Sequence, residues 1–355
     1  MSSRKPWILS LAGTLAVLAA PAAALDPAQA ENKTDAKAKA ASSFTIGYDD
    51  GTLKETPKSE EEPITIIDAA QSTTTTTTEI NKDPQILWPG FLWGLRGFDE
   101  MPKPVGMPFY FEDPFINTSF NFVYLWNKFP DGSALKGGDM SSFITQIRVA
   151  LTERLQLVAS EHGYTLMRAR RLPSDDGWND FSFGLKYAIY YDIEQQFILS
   201  GGLRWKWNNG HTGVLMGNDD ELSPYLSFAK GWDKFHMIGS VTGRIPMDRH
   251  DSNYSLVTSL HFDYELFENF FPLLEFHYIQ YLSDADKCPL SVAGADFANF
   301  GSNDAAGRSS FFGGVGFRYK ITPTIELGTV YNFPLMNPKH DVIDHRVTVS
   351  MLVGL

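Results

Sequence analysis

The sequence predicts an all-β fold, an antiparallel transmembrane β-barrel of about 12 strands preceded by a largely disordered N-terminal segment. Three observations carry that expectation. From Phe115 onward apolar and polar residues alternate, the period that sends successive side chains to opposite faces of a strand. The links between the alternating runs are by turns short and long. Beyond the N-terminus, no apolar run reaches the ~20 residues that a membrane-crossing helix needs.

The N-terminus predicts export. Arg4 and Lys5 form a positive region, Ile8 to Ala20 an apolar stretch too short for a comfortable span, and Ala22-Ala23-Ala24 a small-residue cleavage site. Residues 1–24 are therefore read as a signal peptide, with a second possible cut after Ala30. Residues 25–84 are rich in Ala, Lys, Glu and Thr, and contain Glu60-Glu61-Glu62 and the run Thr73 to Thr78. So little apolar material cannot offset the entropy of ordering, and a flexible periplasmic segment is expected, with at most a short strand at 44–48 or 64–67. Residues 85–114 read as an aromatic plug or interface segment: Trp88, Phe91, Trp93 and Phe98 are interrupted by Pro89, Gly90, Gly94 and Gly97. The cluster is apolar rather than lumen-like, which favours an interfacial anchor or a cover over the barrel floor.

Residues 115–355 carry the barrel pattern. Strands are expected to start near Phe115, Ser142, Leu155, Asp180, Gln196, Leu222, Lys234, Tyr254, Phe270, Ser310, Thr324 and His345. In the last of them Val347, Val349, Met351, Val353 and Leu355 oppose Arg346, Thr348, Ser350, Leu352 and Gly354. Further upstream, Phe183, Leu185, Tyr187, Ile189 and Tyr191 oppose Ser182, Gly184 and Lys186. Tight turns are expected at 152–154, 192–194, 231–233, 266–268 and 322–323, and the longest link at 283–308. Short periplasmic turns, longer outer loops and an even strand count are barrel properties, and they leave both ends in the periplasm. A soluble sandwich would also alternate. Here, however, the polar face is rich in Gly and Ser with charges of both signs, while the apolar face places Trp and Tyr near strand ends.

Composition agrees. Aromatic residues make up 14% of the chain and there are 29 glycines. Cys288 is the single cysteine, which rules out an intramolecular disulfide, and the net charge of −12 argues against nucleic acid as a partner.

The run from Leu151 to Ser160, followed by Gly163-Tyr164, resembles an early hairpin of bacterial outer-membrane proteins of the phenol meta-pathway transporter type. Phe181 to Tyr187 and the closing Arg346-Val347-Thr348-Val349 are similar to the same group. The resemblance spans residues 115–355. It implies a barrel that passes small solutes, including hydrophobic or aromatic ones, and it brings no catalytic motif. The final Leu355 departs from the aromatic residue usual at the end of such barrels.

The candidate lumen or constriction residues are Arg148, Lys186, Arg204, Lys206, Asp263, Glu265, Glu275, His277, Arg318, Lys320 and Glu326. They could form a charged constriction that sorts solutes by sign and size, or a ladder of ion pairs bracing a closed lumen; the sequence leaves both open. No Gly-x-Ser-x-Gly turn and no His-Glu-x-x-His spacing is present, so no enzyme, cofactor or resident metal is expected. Ser259 and His261 share a strand face, where a structural hydrogen bond is favoured over a lipid hydrolase site. Carboxylates at Asp219-Asp220-Glu221, Asp284 and Asp286 are read as solvated rather than as Ca²⁺ ligands. The expected partners are outer-membrane lipid, the barrel-assembly machinery through the C-terminal strand, and a small solute. The expected function is an outer-membrane channel, with a non-conducting structural or surface-interaction barrel as the alternative.

Overall fold

The computed structural model describes residues 89–337 and 341–355. The signal peptide, the flexible segment with its two optional strands, Trp88 and His340 lie outside the described residues.

Among the described residues alternation becomes thirteen strands: β1 (Ser119–Lys128), β2 (Gly138–Ala150), β3 (Leu155–Ala169), β4 (Asp175–Trp178), β5 (Phe181–Asp192), β6 (Phe197–Trp207), β7 (Glu221–Trp232), β8 (Phe235–Pro246), β9 (Ser255–Tyr264), β10 (Phe270–Tyr281), β11 (Ser309–Thr322), β12 (Ile325–Pro334) and β13 (His345–Gly354). Each stave pairs antiparallel with its sequence neighbour. The sheet closes where β1 meets β13, from Ser119 opposite Gly354 to Lys128 opposite His345. β4 and β5 pair successively along the same edge of β3, Asp175 to Trp178 against Met167 to Tyr164, then Ser182 to Tyr187 against Ser160 to Leu155. They act as one stave, so the chain is a closed antiparallel barrel of twelve staves. Among the described residues, closure gives every full-length strand two partners, and the short β4, paired with β3 alone, is the one strand with a free edge.

The break between β4 and β5 has a local cause. The Asn179 N–H donates to the Gly163 carbonyl, and the Thr165 hydroxyl donates to the Asn179 side chain. Asp180 turns aside to accept the N–H groups of Gly210 and Gly217, both at 2.9 Å. The stave therefore begins earlier than the expected Asp180 and is interrupted there.

The outer surface is apolar through the middle of the staves. Phe122, Phe143, Leu185, Leu203, Leu226 and Val315 are all exposed. A soluble protein would bury such a belt; a bilayer solvates it. No described helix is long and apolar enough to cross a membrane, so the staves are the elements available to do so.

Two readings of the pattern need correction. Phe115 does not begin a strand facing hydrocarbon: it is 5% exposed, inside the barrel, and β1 begins at Ser119. In β5 the register shifts between Ala188 and Tyr190. One extra residue there turns Tyr190 outward and leaves Tyr191 packed against the interior, against the simple alternation.

Candidate functional site

The interior is filled by the chain's own backbone. Leu92 donates to the Ala150 carbonyl at 2.9 Å and Glu153 to the Pro89 carbonyl at 3.0 Å, which fastens residues 89–97 to the turn between β2 and β3. Gly90 makes this possible: its φ is +79°, and a Cβ there would lie 2.5 Å from the Glu153 backbone nitrogen. Phe91 and Trp93 remain exposed at this end. Residues 101–116 then enter the barrel, turn back and lead into β1; apart from the half-buried Pro104, every one is buried. Prolines 102, 104, 108 and 114 keep this segment out of helix and strand, so its backbone groups must find partners on the wall.

The wall supplies them. Glu275 on β10 accepts the N–H groups of Val105 (2.9 Å) and Gly106 (2.8 Å). Gln146 donates to the Pro108 carbonyl at 2.7 Å, Arg204 to Phe109 at 2.8 Å, Thr242 to Tyr110 at 3.0 Å and Ser200 to Pro114 at 2.5 Å. Arg318 donates to the Pro104 carbonyl at 3.0 Å. The Tyr110 hydroxyl donates to Glu221 at 2.8 Å, and the Arg244 guanidinium lies 4.5 Å from the centre of the Tyr110 ring.

Charge is matched as well as hydrogen bonding. Arg148 grips Glu112 as a fork, Nε to Oε1 at 2.9 Å and Nη2 to Oε2 at 3.1 Å. Lys186 reaches Glu112 at 3.1 Å and Asp113 at 3.3 Å. Lys103 donates to Asn117 and Ser119 at the segment's ends. A cavity left between segment and wall, lined by Lys103, Pro108, Gln146 and Arg148 among others, is about 20 Å³, room for roughly one water.

Ten of the eleven candidate lumen residues lie along the inward rows. Arg148, Lys186, Arg204, Glu275 and Arg318 touch the in-barrel segment directly. Lys320 donates to the carbonyls of Asp99 and Glu100 where the segment enters. Glu326 pairs with Arg318 at 3.4 Å, and Lys206 with Glu221 at 3.6 Å. Asp263 lies between His236 at 2.7 Å and His261 at 3.0 Å. His277 is buried on β10, and the Phe111 ring meets it edge-on at 5.7 Å. Glu265 lies past the end of β9, half-buried in the turn, where it accepts the Asn269 N–H at 3.3 Å.

The inward rows of β8 to β10 form a continuous chain of acid and imidazole. His236 meets Asp263, Asp263 meets His261, and His261 reaches Glu275 at 2.8 Å. Ser259 bonds His277 across the strands at 3.0 Å rather than its strand neighbour His261, and His277 is 3.5 Å from Glu275. A hydroxyl, an imidazole and a carboxylate are thus within reach of one another. They face the lumen beneath Gly106 and Phe111, and both His277 and Glu275 are wholly buried.

The opposite mouth is closed by different chemistry. The link 283–308 folds inward, and Phe297 and Phe300 join a buried apolar cluster with Met107, Phe129, Met140, Phe312 and Ile343. Arg244 donates to the Ala295 carbonyl at 2.7 Å, Arg346 pairs with Asp296 at 2.8 Å, and Asn253 donates to the Ser302 carbonyl at 2.7 Å. Asp341 is buried beside this loop, and burial pushes its carboxyl up to about 6 although Ser310 and the Val342 N–H favour the ionised form. The loop carboxylates are used structurally. Asp219 and Asp220 accept the N–H groups of Asp248 and Asn208, while Asp284 accepts those of Ala305 and Ala306.

Sequence reading passed over Tyr110, Glu112 and Asp113 and also Arg244; it placed Arg346 on the polar row without a role, and it read Glu221 as a solvated loop carboxylate, whereas Glu221 is buried and paired with Arg244. Glu221, Arg244 and Arg346 sit on inward rows that the alternation itself defines. The first three carried one signal, two acids in an aromatic and proline-rich stretch with no strand period.

No protein-family profile matches the chain, and no curated protein does. Among solved structures it is similar to the COG4313 outer membrane channel from Pseudomonas putida F1, at 12% identity and a TM-score of 0.52, over 72% of this chain and 100% of that one. The NanC porin aligns at 10% identity and a TM-score of 0.40 over 67% and 98% of the two chains. Outer membrane phospholipase A from Escherichia coli aligns at 12% and 0.37 over 68% and 94%. At such low identity only architecture is shared, and the last two similarities are too weak to argue from. Closed staves, an exposed apolar belt and a polar interior agree with the first: the chain has the fold of an outer-membrane β-barrel, its lumen occupied by residues 101–116.

Proposed function

We propose that the chain is an outer-membrane channel for small solutes, held shut in the described state by its own in-barrel segment. The observation that carries this reading is the mismatch between wall and filling. The inward rows are polar and charged, and the volume they enclose is taken up by a separate stretch of backbone, not by the wall's side chains. A barrel whose only task was to be solid could fill itself from its own strands, as small barrels do. Release of residues 101–116, and of the outer loop above them, would leave a wide polar passage. The apolar cluster under that loop gives hydrophobic or aromatic solutes, the class implied by the sequence resemblance, a surface to enter by.

A second reading, a non-conducting barrel that meets partners through its outer loops, is favoured by one observation: both the segment and the loop 283–308 are held by buried ion pairs. A lipid hydrolase gains nothing from the Ser259–His277–Glu275 grouping, which faces away from lipid. The full chain in planar bilayers separates the first two. The channel reading expects infrequent discrete conductance steps that become frequent once the segment's anchors are weakened. A folded protein silent in both forms would leave the non-conducting reading.

A further inference from the structure

We infer that the wall behind Glu112 and Asp113 is a binding site for an organic carboxylate, which these two side chains occupy by imitation. The inference rests on the channel reading and extends it to a class of solute. Its basis is an asymmetry among the buried cations of the interior. Arg244 is neutralised by Glu221 of the neighbouring stave, Arg318 by Glu326, and Arg204 lies 3.8 Å from Glu161. Each of these pairs belongs to the wall and persists whatever the segment does. Arg148 and Lys186 differ. Among the described residues, the acids paired with them are Glu112 and Asp113, and both belong to the in-barrel segment.

When the segment leaves, two cations that were 4% and 0% exposed lose their counter-charges together. An uncompensated charge in such a place is costly, and an anion that restores the pairing is correspondingly favoured. The geometry selects a carboxylate over a simple halide. The Arg148 fork spans both oxygens of Glu112, a match to a planar two-oxygen group, while Lys186 meets one of the same oxygens from the side. Beside them, Tyr225 on β7 is buried with its ring 6.0 Å from the Arg204 guanidinium, and its hydroxyl has no hydrogen-bond partner among the described residues. It offers an aromatic face and a polar tip to whatever the carboxylate is attached to.

The test uses the full chain carrying Glu112→Gln and Asp113→Asn, two near-isosteric changes that loosen the segment and unmask the cations. Benzoate is the probe, with benzamide as its neutral counterpart. In planar bilayers the expected result is anion preference in a salt gradient, and benzoate flux exceeding benzamide flux by about tenfold, the scale on which a buried charge discriminates. Adding Lys186→Met should remove both effects, and Lys186→Arg should restore them. Conductance with equal passage of the two probes, or with cation preference, overturns the inference while leaving the channel reading intact. A folded variant that never conducts refutes the channel reading instead, and calorimetric titration of the same protein in detergent then decides the site. Saturable benzoate binding that Lys186→Met abolishes upholds it, and no saturable binding overturns it.

Discussion

Replacing Glu275 by Gln tests how firmly the segment is latched. In the closed state Glu275 accepts two backbone N–H groups, from Val105 at 2.9 Å and Gly106 at 2.8 Å. The amide of Gln offers a single oxygen. One N–H keeps an acceptor but loses charge assistance, at about 1 kcal/mol, and the other is left buried and unpaired, at about 1–3 kcal/mol. The contacts from Glu275 to His261 and His277 lie within the wall, so their loss is shared by closed and open states and largely cancels. The closed state should therefore weaken by about 2–4 kcal/mol, a rise of between about 30-fold and about 700-fold in the open-to-closed ratio at 1.4 kcal/mol per decade. The readout is the maleimide labelling rate of Val105→Cys, buried in the closed state, in a background where Cys288 is Ser. Single-channel open probability is followed alongside. Gly106→Ala provides an independent route, because its Cβ would lie 2.2 Å from the Glu275 carboxylate. Labelling and open probability within twofold of the parent in both folded variants would refute the latch.

Three further outcomes follow from the same geometry. Arg346→Met leaves Asp296 buried without its cation, which should loosen the outer loop by about 3–5 kcal/mol; limited proteolysis within 283–308 should then be rapid, and unchanged resistance would refute the role. Asp341 has a folded-state pKa of about 6 against an ordinary 3.8, so the folded loop takes up a proton before the unfolded one does. Its local stability is greatest below about 4 and declines as pH rises through about 6. Amide exchange at 342–344 should accordingly be more protected at pH 4 than at pH 7, and Asp341→Asn should flatten the difference. Leu185→Arg puts a charge on the exposed belt near the middle of β5 and should cost about 2–4 kcal/mol in vesicle-embedded unfolding; a cost near zero would mean that this face does not meet hydrocarbon.

What the sequence could show was whatever obeys a two-residue period. The exposed Phe143, Leu185 and Val315 and the buried Arg148, Lys186 and Arg318 were all placed on their faces by alternation, because each strand's pleat assigns faces from sequence position alone. The bulge at Ala188–Tyr190 escaped for the same reason, since an inserted residue breaks the count without altering composition. The tight turns were legible too, being brief interruptions between long runs.

The filling of the interior was legible only as the less favoured of two options: 85–114 read as a plug or an interface segment, with the interface preferred, whereas residues 101–116 lie inside the barrel. Residues 101–116 have no period, and their burial depends on groups distant in sequence: Glu275 is 170 positions from Val105, and Arg204 is 95 from Phe109. Nothing local distinguishes a carboxylate awaiting a buried arginine from one in water, so Glu112 and Asp113 acquired their meaning only when β2 and β5 brought Arg148 and Lys186 to them. Alternation by itself determined that this chain makes a barrel and which side chains line it. Tertiary structure decided between plug and interface segment and settled what occupies the lumen, because occupancy is a relation between distant segments that the local order of residues does not fix.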